Sequence, residues 1–71
     1  MNLERLEAIN RIATKRYKLA KKKGNAMDCL NYLSAKLTST ALLRAIKNWE
    51  LKPSKEEYEY WIEDYDWMFK K

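Results

Sequence analysis

The 71-residue chain contains no histidine and only one cysteine, one glycine, one proline and one phenylalanine. Without an imidazole, Ser34, Ser39, Ser54 and the threonines lack the usual general base, and Cys29 lacks a partner to activate its thiolate, which argues against an enzyme. A lone cysteine forms no internal disulfide and fits a reducing compartment. No apolar run approaches the ~18 residues that a membrane span needs. The stretch "MNLERLEAINRIATKRYK" carries charges every few residues where a secretion signal would be apolar. The expectation is an unprocessed cytoplasmic protein with no membrane span and no cofactor. Glu63, Asp64 and Asp66 are close in sequence, but neighbouring carboxylates on a helix read as a solvated face rather than a metal site.

A chain this short makes one domain, residues 1–71, and buries only ~60% of the surface its unfolded form exposes. With neither disulfide nor metal to staple it, a partner or a second copy is the remaining source of added stability.

The punctuation that is present falls at helix ends. Asn2 is placed to cap a first helix over about 2–23, closed by three lysines and Gly24. Pro53 ends what precedes it, and Ser54 with Glu57 has the spacing of a capping box for a last helix over about 55–69. Between them no breaker occurs, but the apolar stripe shifts. Ala26, Cys29, Leu30, Leu33 and Leu37 share one side, while Leu42, Ala45, Ile46 and Trp49 lie roughly 150° around the helix. Thr38, Ser39 and Thr40 sit at the change, and such residues favour caps over helix interiors. The expected architecture is therefore an all-α bundle of three to four helices, about 2–23, 26–37, 40–51 and 55–69, with Cys29 a small core residue.

Charge is unevenly spread. Residues 1–24 carry eight cations against Glu4 and Glu7, a net of +6, whereas residues 53–71 carry three lysines against six acids, a net of −3. In the first helix, Arg11, Lys15, Lys18 and Lys22 follow i, i+4, i+7, i+11 spacing and fall within roughly 60° of one another. Leu3, Leu6, Ile9, Ala13, Tyr17 and Ala20 form the broadly opposite apolar side. This pattern suits a ridge that tracks the phosphates of DNA or RNA, and it is equally the pattern of a solvated lysine face. A membrane-surface helix is disfavoured, since the apolar side has no tryptophan or phenylalanine.

The segment "NYLSAKLTSTALLRAIKNWE" resembles a helix-turn-helix, two short helices about a polar turn. The resemblance implies that Arg44, Lys47 and Asn48 project from the second helix toward nucleic acid. It covers about twenty residues, and the glycine usual in that turn is missing.

The last sixteen residues, "EEYEYWIEDYDWMFKK", hold six of the nine aromatics. Tyr58, Trp61, Ile62, Tyr65 and Phe69 form a core face with Met68 at its margin. Tyr60 and Trp67 lie roughly opposite, seven residues apart and flanked by Glu56, Glu63 and Asp64. Aromatic anchors inside an acidic rim have the composition of a protein interface. Size and composition together resemble those of small phage or mobile-element effectors. The expectation is a non-enzymatic regulator or inhibitor that docks a protein with a basic surface and an apolar pocket, such as a component of nucleic-acid machinery. Direct DNA or RNA binding through Arg11, Lys15, Lys18 and Lys22, with Arg44 and Lys47 in support, is the alternative, and self-association through opposite charges the third.

Overall fold

The computed structural model describes residues 2–69. The chain forms three helices, α1 (Asn2–Lys23), α2 (Ala26–Lys47) and α3 (Lys55–Asp64), followed by a 3₁₀ turn (Asp66–Met68). No strand occurs among the described residues, and none of their helices is long and apolar enough to cross a membrane. The bundle is all-α, as the helix punctuation implies.

Both ends of the α1–α2 connection follow local rules. Gly24 takes a left-handed backbone, φ 74, and the N–H groups of Gly24 and Asn25 bond to the carbonyls of Lys21 and Ala20. These are the two bonds of a Schellman motif. Asn25 then caps α2 by accepting from the Asp28 N–H at 3.2 Å. At α3, Ser54 and Glu57 form the reciprocal capping box. The cap expected at Asn2 rests on a side chain outside the described ones.

The break expected at Thr38–Thr40 is absent: α2 is one 22-residue helix. The Ser39 hydroxyl donates to the Ala35 carbonyl and the Thr40 hydroxyl to the Lys36 carbonyl, each at 2.7 Å. These groups therefore bond within the helix rather than ending it. They also serve as acceptors for Asn10 of α1, whose amide donates to Ser39 Oγ at 2.9 Å and Thr40 Oγ1 at 2.8 Å. No turn separates two short helices here, so the helix-turn-helix resemblance does not extend to the structure.

α1 and α2 form an antiparallel hairpin, with Asn10 opposite Thr40 and Glu7 opposite Lys47. Ala13 and Ala35 are both buried at its centre, where small side chains let the backbones approach. α2 turns Tyr32, Ala35, Ser39 and Leu43 inward, not the stripe that ran from Ala26 to Leu37. Leu30 and Leu37 are 65% and 59% exposed. The reason is positional: α3 packs on α1 and not along α2, so the outer side of α2 is left uncovered.

The final segment also departs from expectation. α3 stops at Asp64, five residues early. Glu63 and Asp64 face the negative end of the helix dipole and no basic residue occupies the last turn, an arrangement that weakens it. The chain tightens through Tyr65 into the 3₁₀ turn, which carries Met68 into the core with no exposed surface and leaves Phe69 43% exposed. Met68, expected at the margin of the core face, is thus buried, and Phe69, expected on that face, is exposed. Met68 packs with Ile9, Ala13 and Ala35, and Tyr32, Ile62 and Tyr65 close around them. The Arg16 guanidinium donates to the Met68 carbonyl and lies 5.9 Å from the centre of the Tyr32 ring, fixing the turn to both helices.

The Cα radius of gyration is 12.5 Å, above the ~11 Å of an average compact chain of this length. Its long axis of 37 Å is set by the two 22-residue helices, each about 33 Å long.

Candidate nucleic-acid interface

Of the six cations expected to contact nucleic acid, four form one continuous feature. Arg11, Lys15, Lys18 and Lys22 are all exposed, on the side of α1 opposite Leu6, Ile9, Ala13 and Ala20, which are buried. The amphipathic logic is direct: burial of one stripe against α2 and α3 turns the other into solvent. From Arg11 to Lys22 the ridge runs about 16 Å. Asn10, Thr14 and Leu19 join the four cations in lining a shallow groove of ≈540 Å³. Asn10 is engaged with α2, and the Thr14 hydroxyl donates to the Asn10 carbonyl at 2.8 Å. Asn10 and Thr14 are thereby fixed within the groove that the four cations also line. Among the described residues, none of the four cations has a carboxylate partner.

Arg44 and Lys47 lie elsewhere. Both are exposed on the last turns of α2, and Lys47 is 4.0 Å from Glu7. This antiparallel pairing places Arg44 level with the Arg11 end of the ridge but on the neighbouring helix. Asn48 is the C-cap of α2, with its backbone N–H on the Arg44 carbonyl. Arg16 also adds to the positive charge of the first helix, but it is engaged with Met68 and Tyr32.

The acidic-aromatic surface is only partly assembled. Glu56, Tyr60, Glu63 and Asp64 are exposed on α3, and Tyr60 is 66% exposed. Trp67 is not aligned with Tyr60, because the α-helix ends before it. Its ring packs on Tyr32 of α2 with centroids 5.4 Å apart and a 37° tilt. Trp67, expected as an exposed anchor, is 44% exposed and also holds the last turn against the hairpin through this contact.

Cys29 is half-buried with a free thiol. No three of Cys, Asp and Glu come together to hold a metal ion among the described residues. The titration of Tyr65 is displaced. Burial raises its pKa above the usual tyrosine range, with a lowering contribution from a hydrogen bond to Thr38 and a further rise from Asp64.

Sequence reasoning missed Trp49. It stood in the apolar set with Leu42, Ala45 and Ile46, yet it is 79% exposed with φ 62. No family model, curated protein or solved structure matches the chain.

Proposed function

We propose that the protein is a non-catalytic binding module that engages nucleic acid through the phosphate backbone. The observation that carries this reading is the α1 ridge: four exposed cations in one line, none neutralised by a carboxylate among the described residues. A strand presents one charge per ~3.4 Å of duplex axis, so about five phosphates of one strand pass beneath a ridge of this length. Each contact displaces counterions, giving affinity that is insensitive to sequence and sensitive to salt. α3 presents Glu56, Glu57, Glu59, Glu63 and Asp64 to solvent. Its opposite sign orients the approach so that the ridge leads.

The test is fluorescence anisotropy with labelled oligonucleotides over a salt series. The expected slope of log affinity against log salt is up to about −3.6. The double variant Lys15→Glu, Lys18→Glu should lose binding while keeping its circular dichroism spectrum. Absence of binding by the unaltered protein at low salt would overturn the proposal.

A second reading keeps the acidic face. Tyr60, ringed by Glu56, Glu63 and Asp64, is an exposed aromatic in an acidic setting, which suits a protein partner with a basic surface around an apolar pocket. In this reading the chain is a small regulator or inhibitor, and Tyr60→Ala with Glu63→Lys should abolish partner capture that survives nuclease treatment. The two surfaces lie on different helices, so one molecule can use both.

A further inference from the structure

Among the described residues two Schellman motifs occur, and they differ in the residue that takes the left-handed position. The first, after α1, places Gly24 in the left-handed region. The second, after α2, has the same hydrogen bonds, Trp49 N–H to Ile46 carbonyl at 3.2 Å and Glu50 N–H to Ala45 carbonyl at 2.9 Å. There the left-handed residue is Trp49, φ 62. Glycine is usual at this position because any Cβ is strained there, and a bulky side chain makes the conformation a genuine outlier. Burial does not offset the strain, since the residue is 79% exposed. A strained backbone that holds a large ring out in water is the kind of feature that collects at ligand-binding positions.

The surroundings of the ring say what kind of ligand would fit. Leu3, Ile46, Leu51, Pro53 and Tyr58 line a cleft of ≈390 Å³ next to Trp49, and Lys47 and Lys52 complete it. The Lys52 ammonium is 5.9 Å from the centre of the Trp49 ring. An exposed aromatic, an apolar floor and two cations suit a group that is planar and apolar on its faces and anionic at its edge. Lys47 forms a solvent-exposed pair with Glu7, and such a pair is weak enough to yield to a phosphate.

We propose that Trp49 stacks an unpaired nucleobase of a single-stranded nucleic acid, with Lys47 and Lys52 on the flanking phosphates. The proposal rests on the nucleic-acid reading of the α1 ridge and narrows it to strands with accessible bases. In duplex form the base faces are already stacked on one another, so only a single strand can use the ring. Leu3, in the cleft, is eight residues before Arg11, or about 12 Å along α1. A strand engaged at Trp49 therefore reaches the ridge within a few nucleotides.

The test compares a labelled oligothymidylate with a mixed-sequence duplex by anisotropy, using Trp49→Gly and Trp49→Phe. Glycine suits the left-handed backbone, so the first variant removes the ring without threatening the fold. Trp49→Gly should weaken oligothymidylate binding by roughly 5- to 100-fold and leave duplex affinity unchanged, and Trp49→Phe should restore most of the loss. Unchanged oligothymidylate affinity in Trp49→Gly overturns the stacking site while the ridge reading stands, and leaves the cleft to a protein partner or to none. Equal losses on both probes also overturn it, since stacking acts on single strands alone. If the unaltered protein binds neither probe at low salt, the ridge reading and the stacking site fall together.

Discussion

Asn10 of α1 donates its side-chain amide to the Thr40 hydroxyl of α2 at 2.8 Å, and the same amide reaches Ser39 at 2.9 Å. This polar contact sits within the helix–helix interface and sets the register of the hairpin. Sliding α2 by one turn would separate the amide from both hydroxyls. Asn10→Ala should therefore lower stability by about 1–2 kcal/mol, the cost of hydrogen bonds lost in a partly buried setting. A stability loss from urea melts of less than about a quarter of that energy would show that the contact is incidental.

Trp49→Gly should move stability the other way. Relief of left-handed strain amounts to about 1–2 kcal/mol, partly cancelled by the greater freedom of glycine in the unfolded chain. A net gain of about 0.5–1 kcal/mol is expected, read as a rise in thermal midpoint of a few degrees. A lower midpoint would mean that the exposed ring stabilises the fold after all.

The C-terminal side chains should rank by their places in the structure, not by size. Met68→Ala, at a site with no exposed surface, should cost about 2–5 kcal/mol. Trp67→Ala loses its ring contact with Tyr32, for which about 0.5–1.5 kcal/mol is expected. Tyr60→Ala, mostly exposed, should fall within about 0.5 kcal/mol. Denaturant melts of the three variants check the order, and Trp67→Ala costing more than Met68→Ala would contradict it.

Tyr65 supplies a pH dependence. Its pKa is raised in the folded state, chiefly by burial, so the folded protein retains a proton that the unfolded chain gives up near pH 10. Stability from this group is complete below that pH and declines as pH rises through the folded-state value. Thermal melts of the unaltered protein should fall over that alkaline range, and Tyr65→Phe should flatten the fall. An identical decline in both proteins would assign it to other groups.

What was legible in the sequence was whatever depends on neighbours within a turn or two. Gly24 and Ser54 with Glu57 behave as their spacing implies. So does the α1 ridge, because one helix with one buried stripe leaves little choice about its other side. The middle of α2 was not legible, since Asn10, which engages Ser39 and Thr40, comes some thirty residues earlier. The outward turn of Leu30 and Leu37 depends on where α3 packs, a tertiary choice that helical periodicity does not report. The early end of α3 did have a local signal in Glu63, Asp64 and Asp66, which oppose the helix dipole. The regular spacing of Tyr65 and Phe69 outweighed it. Trp49 had no signal, because a left-handed cap is ordinarily announced by glycine.

The bond between Arg16 and the Met68 carbonyl spans 52 residues, whereas α1 and α2 meet across a connection of two. Closing the longer loop costs more chain entropy, so the hairpin is expected to form first and the Met68 turn to seat late on the folding path. A side chain that packs after the rate-limiting barrier leaves the folding rate alone and speeds unfolding when removed. Met68 would then act mainly as a brake on opening, and the lifetime of the closed form, rather than its speed of formation, would be set by this single unbranched side chain.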